Sequence, residues 1–143
     1  MNVYFACSIT GGRQDEGVYQ LLVNALHEEG HEVPTALLAG AEVMQLEGIV
    51  EAADIYARDT AWIRECDLLL AEVSTPSHGV GYEIGYALSL NKPVLCLHRA
   101  NRKVSKMILG NPHPSLRLCS YHTPQEAVQI LLDNLPDVPW GHQ

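Results

Sequence analysis

Asp67-Leu68-Leu69-Leu70-Ala71-Glu72-Val73, followed by Ser74-Thr75-Pro76-Ser77-His78-Gly79-Val80-Gly81-Tyr82-Glu83-Ile84-Gly85, is the stretch whose reading decides the fold. A short apolar run reads as a strand, and the Pro- and Gly-bearing segment after it reads as a loop that turns into a helix over 79–90. The same alternation extends in both directions. Upstream, Val3 to Cys7 is a buried first strand. Asp15 to Glu29 carries Val18, Leu21, Leu22, Ala25 and Leu26 at helical spacing, and Gly30 stops that helix. His31 to Thr35 reads as a second, weaker strand, Ala36 to Gly48 as loop with a short helix, and Ile49 to Cys66 as a helix. Downstream, Pro93 to His98 is a strand, Val104 to Leu109 a short helix and Leu116 to Tyr121 a fifth strand. Thr123 and Pro124 supply the N-cap and first position of a last helix reaching about Leu135, before an irregular tail.

Strands alternating with helices imply an α/β fold: a single domain over residues 1–143, with a doubly wound, five-stranded parallel sheet of flavodoxin or Rossmann type and helices on both faces. Such sheets bind ligands beyond the carboxyl ends of their strands, at the switch point. Functional residues are therefore expected just after the first, third and fourth strands, and the unusual sequence lies there.

The chain has 143 residues, 47% hydrophobic and 18% charged, which suits one core that folds without staples. Nine Lys and Arg stand against seventeen Asp and Glu, a net charge of −8 that argues against nucleic-acid or anionic-membrane surfaces. A small anion is still accommodated, because backbone N–H groups hold phosphate without net positive charge. No apolar run approaches the roughly 20 residues of a membrane span. Met1 to Phe5 shows no signal-peptide pattern. Cys7, Cys66, Cys96 and Cys119 lack metal or redox spacing and read as reduced thiols of a cytoplasmic protein. The seven histidines show no ligand spacing, so no metal and no cofactor are expected. Trp62 and Trp140 read as packing residues.

Three segments carry candidate chemistry. Ser8, Ile9, Thr10, Gly11, Gly12 and Arg13 follow the first strand; small residues there let backbone N–H groups approach a ligand, and a following helix start favours an anion. The pattern is neither GxGxxG nor a Walker sequence. In the second segment Glu83 falls in the first turn of its helix, where a carboxylate is comfortable whether or not it has a function. Ile84 and Ala87 beside it, with Gly81 and Gly85, suit a buried functional carboxylate. Asp59 lies at the edge of the apolar face of its helix, and its pattern alone favours a solvated residue paired with Arg58 or Arg64.

Together these segments resemble the nucleoside 2-deoxyribosyltransferase superfamily, and within it the 2'-deoxynucleoside 5'-phosphate N-hydrolase branch. The resemblance runs from Val3 to about Leu132. It rests on Val3-Tyr4-Phe5-Ala6-Cys7-Ser8-Ile9, Asp59 with Trp62, Asp67 to Val73, Pro76-Ser77 through Gly79-Val80-Gly81-Tyr82-Glu83-Ile84-Gly85, Asn91-Lys92-Pro93, and Val104-Ser105-Lys106-Met107-Ile108. The resemblance implies that Glu83 is a nucleophile attacking C1' of deoxyribose, that Asp59 handles the proton of the leaving base, and that Tyr4 orients the carboxylate. It implies phosphate contacts from Ser77 and the Gly79 backbone. Ser105 is implied to reach the phosphate of a neighbouring subunit in a homodimer, and Met107 and Ile9 to flank the base. Thr10 departs from the pattern, standing where close relatives carry an arginine; arginine grips phosphate as a fork and threonine cannot. Arg13 is near in sequence.

The residue types suit the chemistry. Departure of a base leaves an oxocarbenium-like sugar, which a carboxylate stabilises and can bond, while an acid protonates the leaving group. The expected reaction cuts a small-molecule deoxynucleoside monophosphate into base and 2-deoxyribose 5-phosphate. Two alternatives share these motifs: base exchange on unphosphorylated deoxynucleosides, and a non-catalytic nucleotide-sensing module.

Overall fold

The computed structural model describes all residues except 10–13, 41–47, 137, 139, 142 and 143, together with all side chains of the remainder except that of Leu38. The described elements are β1 (Val3–Ala6), α1 (Glu16–Glu28), a 3-10 turn (Ala36–Ala39), α2 (Ala52–Glu65), β2 (Leu68–Glu72), α3 (His78–Ser89), β3 (Val94–Arg99), α4 (Lys106–Leu109), β4 (Leu116–Tyr121) and α5 (Pro124–Asn134). The apolar runs in the sequence thus map closely onto elements, with one correction. The sheet has four parallel strands in the order β1-β2-β3-β4, not five. The segment expected as a second strand, 31–35, contributes one isolated parallel bridge, Glu32 to Asn2, on the free side of β1. Only Val33 and Thr35 of that segment are buried. Pro34 has no N–H to donate, so a longer ladder is blocked there. The short helix expected within 36–48 is the 3-10 turn as far as Ala39; residues 41–47 lie outside the described part.

Helices cover both faces. Val3, Phe5, Leu68, Leu70, Leu95 and Leu97 point to one side, against Val18, Tyr19, Leu22 and Leu26 of α1 and Ala127 and Leu131 of α5. Tyr4, Ala6, Leu69, Ala71, Val94 and Cys96 point to the other, against Ile63 of α2 and Val80, Ile84 and Ala87 of α3. The period of two along each strand divides the residues between the faces. Every residue of β1 and β2 is buried. Trp140 packs into the first cluster, under the Arg117 guanidinium at 4.5 Å, so the tail is tied down at that point. Among the described residues no helix is long and apolar enough to cross a membrane.

The helix ends show how local sequence directs the chain back to the sheet. Thr123 accepts from the Glu126 amide as the N-cap of α5, with Pro124 at the first position. After α1, Gly30 takes φ +84°; its amide reaches the His27 carbonyl while that of His31 reaches Leu26. After α3, Asn91 takes φ +57° and makes the equivalent pair, Asn91 to Leu88 and Lys92 to Ala87. Both are Schellman endings, in which a left-handed residue closes the last turn. Asparagine tolerates that conformation better than other residues with a side chain. Replacing Asn91 by Ala is therefore expected to destabilise the protein by about 1 kcal/mol, whereas Asn91→Gly holds or raises stability. Urea midpoints of the two variants read the difference; equal losses for both would show that the backbone conformation is not what matters there.

Candidate active site

The carboxyl ends of β1, β2 and β3 and the start of α3 converge. Tyr4 is buried in β1 and faces the α2/α3 side. Its hydroxyl donates to Oε2 of Glu83. Ser77 is the N-cap of α3, its Oγ accepting from the Val80 amide at 3.3 Å. The helix starts at His78, so Glu83 stands in the second turn and no acidic residue occupies the first. The expectation of a first-turn glutamate is corrected: its position owes nothing to the helix terminus and is matched instead by the phenol of Tyr4. A Cβ placed on Gly79 would stand 3.9 Å from Glu83 Oε1 and 3.9 Å from Ser77 Oγ. Gly79 thus keeps the space between the carboxylate and the cap hydroxyl open.

Asp59 lies on α2 with 18% of its side chain exposed, so it is not the solvated residue that its pattern suggested. It accepts from Arg58 Nε at 2.8 Å, and that guanidinium stacks on Trp62 at 5.0 Å. Of the two expected partners Arg58 is the one found; Arg64 bonds the Tyr86 hydroxyl instead. Asp59 and Arg58 both lie near enough to Tyr4 to act on its ionisation, so α2 delivers its carboxylate to the place where Tyr4 and Glu83 meet.

A cavity of about 430 Å³ opens beside this cluster. It is lined by Ser77, His78, Gly81, Gly85, Lys103, Ser105 and Met107, among others. Gly81 and Gly85 stand roughly opposite Glu83 around the helix, at 100° per residue. A Cβ on either would meet nothing within 4 Å, so the close approach these glycines permit is toward the cavity. Ser105 caps α4 by accepting from the Met107 amide at 3.2 Å, and Met107 is 84% exposed. Ser77 and Ser105 both spend a lone pair on a cap and keep a hydroxyl proton to donate outward. The site residues therefore fall in two groups within one chain, Tyr4, Asp59, Glu83 and Gly79 on one side of α3 and Ser105 with Met107 on the other, and Ser77 belongs to both.

In the first candidate segment Ser8 is fully buried, and Ile9 is partly buried against the α1 side of the core. Thr10, Gly11, Gly12 and Arg13 lie outside the described residues. Sequence reasoning passed over Lys103, which lines the cavity, and two buried carboxylates, Glu72 and Asp15, that are 0% and 1% exposed. Glu72 carried a signal, being a charge inside an apolar strand. Asp15 was read only as the first residue of a helix.

Burial, and then the Glu83 carboxylate, push the phenol of Tyr4 far above its usual range. Burial and Glu72 push Tyr121 up in the same way. Below pH about 10 both phenols are protonated, folded or unfolded. Above it the unfolded chain sheds these protons and the folded chain keeps them, so stability falls as pH rises beyond about 10. Tyr4→Phe should make that fall shallower, by up to about 1.4 kcal/mol per pH unit. Denaturation midpoints across the alkaline range test this; an unchanged slope would mean that Tyr4 ionises in the folded protein.

The chain was compared with known proteins. A family model described as nucleoside 2-deoxyribosyltransferase matches residues 3–131. A protein of Mus musculus named 5-hydroxymethyl-dUMP N-hydrolase is 41% identical over 135 residues, covering 92% of this chain and 77% of its own. One of Methanosarcina mazei, which carries the provisional name 2'-deoxynucleoside 5'-phosphate N-hydrolase 1, is 40% identical over 132 residues, covering 92% and 82%. Among solved structures, a CMP N-glycosidase of Clostridium botulinum superimposes with a TM-score of 0.75 at 24% identity, covering 94% of this chain and all of the other, and so shares the fold. With the model matched along most of its length and relatives at about 40% identity, this chain belongs to the nucleoside 2-deoxyribosyltransferase family.

Proposed function

We propose that the protein hydrolyses the N-glycosidic bond of 2'-deoxynucleoside 5'-monophosphates, releasing the base and 2-deoxyribose 5-phosphate. The observation that carries this reading is the pairing of Tyr4 with Glu83 one turn inside a helix capped by Ser77, with Gly79 left open between carboxylate and cap. The names borne by the mouse and archaeal relatives point to the same chemistry. Glu83 attacks C1' of the sugar as the bond to the base breaks, giving a glycosyl ester. Asp59 gives the departing base its proton. Water then attacks C1', Asp59 takes the proton of that water, and Glu83 leaves as carboxylate. Tyr4 fixes the attacking oxygen and, staying protonated, stabilises the carboxylate when it departs. The phosphate sits at the N-terminus of α3, against the Ser77 hydroxyl and the first-turn amides, where the helix dipole favours an anion.

The site is completed by a second copy. Ser105 and Met107 line a cavity to which Tyr4, Asp59 and Glu83 of the same chain do not contribute, and a second copy would bring them to the reacting groups. Met107 and Leu109 are exposed on α4, and exposed Tyr82 of α3 stacks on Tyr86 at 6.3 Å and bonds exposed Tyr56 of α2. An apolar, aromatic patch of this kind suits an isologous partner. Ser105 of each chain then meets the phosphate bound by the other. Lys103, on the same cavity, adds positive charge.

Purified protein is incubated with the deoxynucleoside monophosphates, 5-hydroxymethyl-dUMP, the unphosphorylated nucleosides and GMP, and free base is quantified. Release from deoxynucleoside monophosphates is expected, reduced roughly 10³-fold or more in Glu83→Ala and about 10²–10⁴-fold in Asp59→Asn. Exchange of base between nucleosides without hydrolysis would point to a transferase instead, and nucleotide binding without turnover to a sensing module. The shared site is tested by complementation. Mixing Glu83→Ala with Ser105→Ala subunits should recover activity that neither variant shows alone, because half of the sites in each mixed dimer regain both residues; no recovery on verified subunit exchange rules sharing out.

A further inference from the structure

Asp15 is 1% exposed and stands at the N-cap of α1, yet its side chain makes no capping bond to that helix. An aspartate at this position ordinarily accepts from the second or third amide of its helix, a contact worth about 0.5–2 kcal/mol. Here both carboxylate oxygens turn away. Oδ1 accepts from Arg99 Nε at 2.7 Å, and Oδ2 from Thr75 Oγ1 at 3.1 Å and from Arg102 at 3.5 Å. Thr75 Oγ1 also lies 3.4 Å from Gln14 Oε1. The group is anchored from below. The Arg99 amide donates to Ser74 Oγ at 2.8 Å, Ser74 donates to buried Glu72, and Glu72 also accepts from the Tyr121 hydroxyl.

We infer that Asp15 is a positioning residue that holds the three substrate-facing loops in register, acting on the phosphate end of the site. This rests on the proposed hydrolase reading. Each arm of the carboxylate reaches a different loop. Asp15 itself follows segment 8–13 by two residues in the sequence. Thr75 precedes the cap residue Ser77 by two. Arg99 and Arg102 begin the segment that leads through Lys103 to Ser105. A carboxylate buried among two guanidinium groups and a hydroxyl is stiff, since each bond is charge-assisted and none can be exchanged for water without exposing the others. The forgone cap indicates that the side chain is committed to the loops and not to its own helix. Asp15 touches no reacting atom, so it should govern binding of the phosphate more than the rate of bond breaking.

The test uses full-length Asp15→Ser and Asp15→Asn. Serine is a good N-cap, so Asp15→Ser can restore the capping bond while removing every arm of the clamp. The expected result is a KM for deoxynucleoside monophosphate raised about tenfold or more in both variants, with kcat within a few-fold of wild type. Serine and asparagine are both good N-caps, so both variants can regain the capping bond with no better KM. Arg99→Gln should reproduce the KM effect and add little to it in the double variant. A KM that recovers along with melting temperature in Asp15→Ser overturns the inference, as does a fall in kcat with KM unchanged. The hydrolase reading fails separately. If wild type binds the nucleotides without cleaving them, the same tenfold weakening is read from calorimetric Kd, and its absence there overturns the positioning role. Wild type that neither cleaves nor binds them overturns both.

Discussion

Burial of the first two strands on both faces is the constraint from which the remaining structure follows. β1 and β2 have no solvent-facing residue, so α1 and α5 on one side and α2 and α3 on the other are required to cover them. A sheet enclosed in this way can admit polar groups at its carboxyl edge, where strands hand over to loops, provided that each group finds a partner. Among the described residues Tyr4, Glu72, Asp15, Tyr121 and Arg99 are polar groups so admitted, and each is bonded to another part of the fold. The chemistry of the site and the satisfaction of the core are therefore one problem, solved at one edge.

The two faces solve it differently. On the α2/α3 side a phenol from the strand meets a carboxylate from the helix, and a second carboxylate arrives with its own arginine. That arrangement leaves Gly79 as an opening beside the Glu83 carboxylate. On the α1/α5 side the carboxylates of Glu72 and Asp15 are closed in by hydroxyls and guanidinium groups. The proposed hydrolase would use the first arrangement for its chemistry and the second to fix the loops around it.

Helix α3 carries both duties because its residues alternate around the axis. Gly79 and Glu83 lie one turn apart on the Tyr4 side, and Gly81 and Gly85 one turn apart on the cavity side. Its first residue is set by Ser77, whose hydroxyl caps the helix and still has a proton to offer.

Much of this was legible in the chain. Apolar runs of four to six residues, the Thr123-Pro124 start and the Gly30 stop located the strands and helices, because period and capping are local properties. The Gly79-to-Gly85 motif, read with Tyr4 and Asp59, marked the family, since family motifs recur at readable spacings. The weak strand at 31–35 was misjudged, because pairing depends on a neighbour that Pro34 cannot satisfy. The surroundings of Asp59 and the reach of Asp15 were beyond local reading. Asp59 is half-hidden only because α2 packs beside Tyr4, and Asp15 meets Thr75 and Arg99 across separations of 60 and 84 residues. Composition and spacing determine which elements form and which residue types they carry; only folding the sheet decides which side chains share its carboxyl edge, because burial and hydrogen-bond satisfaction are properties of what packs nearby in space.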